Sequence, residues 1–178
     1  VILPYEQVET IRREDLLPDL PALVLLSREG LLSRRPWGAR KSLKSVVGTS
    51  DEEEIPPHLF AVPTTTKKNI LFFGSKGKVY SVKVQDVPEV RAGKGKPLDQ
   101  FISVDEGESL IQAMDSDTDG RKHLFAVTRK GLAKRFAAAM ATKVKYSAGK
   151  RFFGLDEDDE IRSVLPVGDE SSVIILSS

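Results

Sequence analysis

LVLLSREGLLSRR (Leu23–Arg35), ILFFGSKGKVYSVK (Ile70–Lys83) and LFAVTRKGLAKRF (Leu124–Phe136) are three copies of one pattern. Each begins with four or five apolar residues, passes through a short polar turn ending at Gly30, Gly77 or Gly131, and continues into a run that mixes basic and apolar residues. Runs rich in Val, Leu, Ile and Phe read as strands, and a glycine between them supplies the positive φ that a tight, bulged turn requires. Each copy is therefore predicted to be a β-hairpin. The glycines lie 47 and 54 residues apart, and VIILSS from Val173 begins the same pattern again, so the period is about 50 residues.

A second element recurs within each period. VDEGESLIQAM from Val104 and LDEDDEIRSVL from Leu155 each place an apolar residue, an acidic turn and an apolar strand in that order, and SDEEEIPPHLFAV from Ser50 is a looser copy. Four short strands per unit of about 50 residues is the arithmetic of a propeller blade, with a solenoid of strands as the alternative. The expected class is all-β, propeller-like and partial, with about three blades. Residues 1–21 form a lead-in, 22–68, 69–121 and 122–172 are the units, and a fourth starts at 173–178. Helical signal is confined to Phe136–Val144, as a single turn on a connection, and to residues 6–17, as a short helix or an extended lead-in.

Length and composition agree with a folded, soluble chain. The 178 residues are 40% hydrophobic and 30% charged, a balance outside the disordered and membrane classes. No apolar run approaches the roughly 20 residues of a bilayer span, and VILPYEQVETIRRED lacks the basic start and apolar middle of a signal peptide. With no cysteine, thiolate chemistry and Cys-ligated zinc are excluded, and a cytoplasmic setting is expected. A first residue of valine reads as a piece of something longer. The net charge of +1 conceals alternating blocks: 121–151 carries ten Lys and Arg with no acid, whereas 99–119 carries seven Asp and Glu with no base.

These repeats resemble the C-terminal domain shared by the A subunits of DNA gyrase and topoisomerase IV. ILFFGSKGKVYSVKVQDVPEVRAGKGKPLDQFISVDEGE (Ile70–Glu108) looks like one whole blade, EDLLPDLPALVLLSREG (Glu14–Gly30) is similar to the entry into the first, and YSAGKRFFGLDEDDEI from Tyr146 is similar to part of another. The resemblance implies a β-pinwheel, a propeller variant whose blades exchange strands with their neighbours. It also implies duplex DNA as the ligand. The partners it implies are the B subunit plus the rest of the A subunit, with ATP and Mg²⁺ on other domains and no cofactor in this chain. One departure stands out. Gyrase A subunits carry a glycine-rich basic box near Q-R-R-G-G-R-G in the first-blade loop, where this chain has RRPWGARKSLKSVVG (Arg34–Gly48), with the charge but not the paired glycines. RAGKGKP and SAGKR echo it in the later units. The departure points to topoisomerase IV or to a gyrase with a decayed box, and away from strong chiral wrapping.

The candidate DNA-binding residues are the cations that repeat with the period: Arg34, Arg35, Arg40, Lys41 and Lys44; Lys76, Lys78, Lys83, Arg91, Lys94 and Lys96; Arg129, Lys130, Lys134, Arg135, Lys143, Lys145, Lys150 and Arg151. Ranged along one rim, they would offer evenly spaced phosphate contacts. With no recognition helix, readout would be of backbone and bendability rather than of base edges. Taken alone, charge runs also describe solvated faces. A protein-interaction propeller with incidental DNA affinity is the second reading, distinguished by the salt dependence of DNA binding.

Other features read as structure. GSKGK and GKGKP fit neither phosphate-loop pattern and precede no helix, so turn geometry accounts for their glycines. The cluster Asp156–Glu160 could hold Mg²⁺ but shares its blade position with Asp105–Glu108 and reads as an exposed acidic turn. Neither His58 nor His123 has ligand-spaced partners, no metal site is expected, and none of Tyr5, Tyr80 and Tyr146 matches the family's strand-breaking tyrosine, which belongs to another domain. No catalytic residue is assigned. Trp37, Phe101, Phe136, Phe152 and Phe153 read as blade core rather than base-stacking platforms. The open blade edges of a partial propeller imply a tendency to self-associate.

Overall fold

The three glycine-centred runs form three antiparallel hairpins in the computed structural model, which describes residues 18–38, 58–90, 95–144 and 147–175. Hairpin one joins β1 (Pro21–Ser27) to β2 (Leu31–Pro36), hairpin two joins β4 (Asn69–Gly74) to β5 (Lys78–Lys83), and hairpin three joins β8 (His123–Thr128) to β9 (Ala133–Ala137). Gly30, Gly77 and Gly131 adopt φ of 78°, 82° and 83°, and each donates its amide to the carbonyl three residues earlier, at 3.1–3.2 Å. A side chain at these positions would meet the left-handed penalty that glycine escapes. In hairpins one and three a hydroxyl completes the turn: Ser27 Oγ accepts from the Leu31 amide and Thr128 Oγ1 from the Leu132 amide, both at 3.1 Å.

The strand after each acidic turn pairs with the first strand of its own hairpin. These are β3 (His58–Thr65) on β1, β7 (Leu110–Asp115) on β4 and β11 (Ile161–Val167) on β8, each with a register shift at the turn-proximal end. β3 packs beside β7 and β7 beside β11, so these three strands form the inner row of successive blades. The fourth strand is exchanged. β6 (Lys96–Pro97) follows hairpin two yet pairs with β2 of blade one, and β10 (Lys150–Arg151) follows hairpin three yet pairs with β5 of blade two. The resulting sheets run β3-β1-β2-β6, β7-β4-β5-β10 and β11-β8-β9. This is the all-β, strand-exchanging propeller that the repeats and the resemblance led us to expect. β9 has no outer neighbour among the described residues.

Alternation along β4 and β5 sends side chains into two cores. Ile70, Phe72, Tyr80 and Val82 pack against Ala22, Val24 and Leu26 of blade one, whereas Leu71, Phe73 and Val79 pack against Leu124, Ala126 and Phe136 of blade three. Each fully buried side chain of this size contributes roughly 1.5–3 kcal/mol relative to exposure. Phe136, Phe152 and Phe153 lie in the second core with edge-on and tilted ring contacts at 5.1–6.4 Å, in keeping with their reading as core. Phe101 is half-buried against the first core, and Trp37, also half-buried, belongs to neither. The helical signal at Phe136–Val144 reduces to one turn, α1 (Ala139–Thr142), which seats Ala141 in the second core.

Val173, Ile174 and Ile175 are exposed and form no strand, although they repeat the opening of a hairpin. Residues 6–17, which carry the other helical expectation, lie outside the described residues, as does Tyr5. Among the described residues no helix is long and apolar enough to cross a membrane.

Candidate nucleic-acid interface

The cations divide into two sets according to where each hairpin places them. At the turns, Lys76 and Lys130 each precede the hairpin glycine, and each is captured by the acidic turn of its own unit. Lys76 donates from its amide to Glu108 Oε1 at 3.0 Å and from Nζ to the Glu106 carbonyl at 2.5 Å. Lys130 repeats this, amide to Asp159 Oδ1 at 3.0 Å and Nζ to the Glu157 carbonyl at 3.1 Å. Lys78 pairs with Asp105 at 2.5 Å, while Arg129 donates to the Asp158 carbonyl and lies 3.9 Å from Glu160. The acidic turns are thus partly occupied by the protein's own cations and amides. Asp159 shows the consequence: burial opposes its charge, but hydrogen bonds from Thr128 and from the amides of Lys130 and Glu160 outweigh it and hold the carboxyl below its usual range.

Unit two adds a buried contact that sequence reading missed. Gly74 stands where the other hairpins have Ser27 and Thr128, and the space above it is filled by the Glu108 carboxylate, which a Cβ at this position would overlap. That carboxylate accepts a short hydrogen bond from the Tyr80 hydroxyl. Burial, followed by this bond and the adjacent negative charge, pushes the Tyr80 phenol above its ordinary range. The missing hydroxyl at Gly74 was the available signal.

The second set occupies the outermost strands. Lys96 lies on β6, Lys150 and Arg151 on β10, and Lys134 and Arg135 on β9, with Lys143 just beyond α1. All six are exposed. None has an ion pair among the described residues, and the Lys134 ammonium lies 5.9 Å from the centre of the Phe153 ring. As β3, β7 and β11 form the inner row, these strands are the opposite edge of each blade, and the unpaired charge is carried along that outer edge. Such a track can neutralise successive phosphates, and among the described residues it projects no helix or ribbon that would enter a groove.

The remaining candidates are differently placed. Arg34 and Arg35 are half-buried, Arg34 lies 3.7 Å from Glu89, and both line a cavity of about 270 Å³ with Leu20, Pro21 and Ala22. Lys83 is exposed at the end of β5. Arg40, Lys41, Lys44, Arg91, Lys94 and Lys145 lie outside the described residues, and so do Tyr146 and most of the box-equivalent segment after Gly38. His123 Nδ1 stands 3.3 Å from Asp169, a surface contact rather than a ligand set.

The family model described as DNA gyrase C-terminal domain, beta-propeller, matches residues 68–116 and 122–168. The gyrase A protein of Aminobacterium colombiense is 36% identical over 175 residues, covering 96% of this chain and 21% of that protein. Its counterpart from Streptococcus pneumoniae is 30% identical over 176 residues, covering 94% and 21%. The chain therefore spans about a fifth of these curated relatives. Among solved structures, the E. coli ParC C-terminal domain superposes with a TM-score of 0.69 at 17% identity, over 84% of this chain and 58% of that one. A topoisomerase IV C-terminal domain gives 0.64 at 22% identity, over 84% and 46%.

Proposed function

The chain belongs to the DNA gyrase C-terminal-domain β-propeller family, and from that premise we propose that it binds duplex DNA without sequence preference along the outer edge of its blades. The observation that carries this reading is the run of exposed cations, without an ion pair among the described residues, on three successive outer strands: Lys96; Lys150 and Arg151; Lys134 and Arg135. Within a parent type II topoisomerase in the cytoplasm, assembled with the B subunit plus the rest of the A subunit, the module would present a bent duplex for strand passage. ATP and Mg²⁺ chemistry would reside on other domains. Smoothly bending a 20–30 base-pair site costs roughly 1–6 kcal/mol, so three blades support only a shallow bend. The test is binding to random duplex across a salt series. A steep loss of affinity between low and moderate salt, with no preference in competition between sequences, is expected. Salt-insensitive binding, or preference for one short sequence, rejects the reading in favour of a protein-interaction propeller.

A further inference from the structure

Gly95 and Gly149 each follow the hairpin glycine of their own unit, Gly77 and Gly131, by 18 residues. Each opens a two-residue strand laid on the preceding blade in one register. The first residue after the glycine faces the second after the hairpin glycine (Lys96 with Leu32, Lys150 with Val79), and the next faces the first (Pro97 with Leu31, Arg151 with Lys78). The Leu98 amide then donates to the Gly30 carbonyl and the Phe152 amide to the Gly77 carbonyl, both at 2.9 Å. Glycine is required twice over. The φ values are 74° and 71°, and a Cβ on Gly95 would come within 2.5 Å of the Leu32 carbonyl oxygen, one on Gly149 within 2.7 Å of the Tyr80 ring.

These clasps tie consecutive units together through two residue pairs each, and they also carry the outer-edge cations of blades one and two. Blade three differs, because Lys134 and Arg135 sit on β9, a strand of the hairpin itself. We infer that DNA binding and clasp closure are coupled, with Gly95 and Gly149 as positioning residues that hold Lys96, Lys150 and Arg151 at the outer edge. When a clasp lifts, its cations leave the phosphate track. Duplex that prefers the closed arrangement must, by linkage, favour clasp closure by the same factor that closure favours duplex. The duplex thus fastens the joint between blades, whereas Lys134 and Arg135, carried on the hairpin strand β9, keep their places whether a clasp is open or closed.

This inference rests on the DNA-binding reading, and hydrogen exchange on the full chain separates the two. With saturating random duplex, exchange at the Leu98 and Phe152 amides should slow by roughly 5-fold or more, while amides within β4 stay unchanged. Gly149→Ala removes no charge, yet should speed exchange at Phe152 without DNA and lower the slope of log affinity against log salt by about 2, as two phosphate contacts are lost. Gly95→Ala should do the same at Leu98 with a loss of about 1. Unchanged exchange at Leu98 and Phe152 under saturating duplex overturns the coupling even if binding is tight. Fast clasp exchange in a glycine variant with unaltered affinity and slope overturns the positioning role. If the wild-type chain does not bind random duplex, the underlying reading falls, whereas clasp opening remains measurable without DNA. Should either glycine variant fail to fold, the wild-type exchange comparison decides.

Discussion

Blades two and three are built from the same repeat and bury it differently. In blade two, β4 is buried from Ile70 to Gly74 because blade one covers one face and blade three the other. In blade three, β8 alternates: Leu124, Ala126 and Thr128 are buried, while His123, Phe125 and Val127 stay half-exposed. The outer strands differ as well, since β5 carries β10 whereas β9 has no strand beyond it among the described residues. A repeat of this kind encodes a sheet with two adhesive faces and one open edge, and its stability depends on how many neighbours it has.

Truncating a core aromatic sharpens the contrast most. Phe73 is fully buried and meets Phe152 edge-on at 5.3 Å, so Phe73→Ala should cost about 3–5 kcal/mol in denaturant unfolding. Phe125, one hairpin on and half-exposed, should cost clearly less. Equal losses would mean that the open face of blade three is covered in solution.

A pH series examines the Tyr80–Glu108 contact, which among the described residues belongs to blade two. The Tyr80 phenol is held neutral by burial and by the Glu108 carboxylate, so its folded pKa is raised above the ordinary 10.0. Its contribution is fully present below pH 10 and is lost as pH rises through the raised value. Stability should fall above pH 10, and Tyr80→Phe should remove that dependence while costing roughly 1–3 kcal/mol near neutrality, because Glu108 loses a partner. A melting curve series from pH 8 to 11 on both proteins checks this; identical slopes would exclude Tyr80 as the source.

The hairpins, the period and the acidic turns were legible because each depends on local chemistry: apolar alternation, a glycine at positive φ, and charge. The division of the cations was not. Lys76 and Lys134 look alike in sequence, yet one precedes a turn glycine and meets Glu106 and Glu108, and the other follows the glycine onto an outer strand. That difference arises from pairing across about 30 residues, which a count of Lys and Arg does not register. Strand exchange was legible only through resemblance, since Lys96–Pro97 and Lys150–Arg151 are too short to announce themselves as strands.

The same division predicts unequal effects on DNA affinity. Lys134→Ala with Arg135→Ala should reduce the salt slope by about 2, while Lys76→Ala with Lys130→Ala should leave it nearly unchanged, as those ammonium groups already bond to Glu106 and Glu157. Filter binding at three salt concentrations distinguishes them. A larger loss from the turn pair would place the duplex on the hairpin-turn side of the blades.

The smallest effect on folding should come from the exposed apolar side of blade three. Leu165 on β11 is 44% exposed and Ile174 is 85% exposed, close to a cavity of about 270 Å³ lined by Phe125, Arg135, Val167 and Val173. An exposed apolar face beside a strand whose outer edge has no neighbour among the described residues favours association between copies, because burying it removes apolar surface from water and gives β9 a second partner besides β8. Leu165→Ser and Ile174→Ser remove little that is buried in one copy, so the unfolding free energy should change by no more than about 0.5 kcal/mol. Sedimentation across a concentration series should nonetheless shift toward monomer for the double variant. If the wild-type chain is monomeric throughout the series, blade three tolerates its open face without a partner. The contrast with blade two would then be one of stability alone.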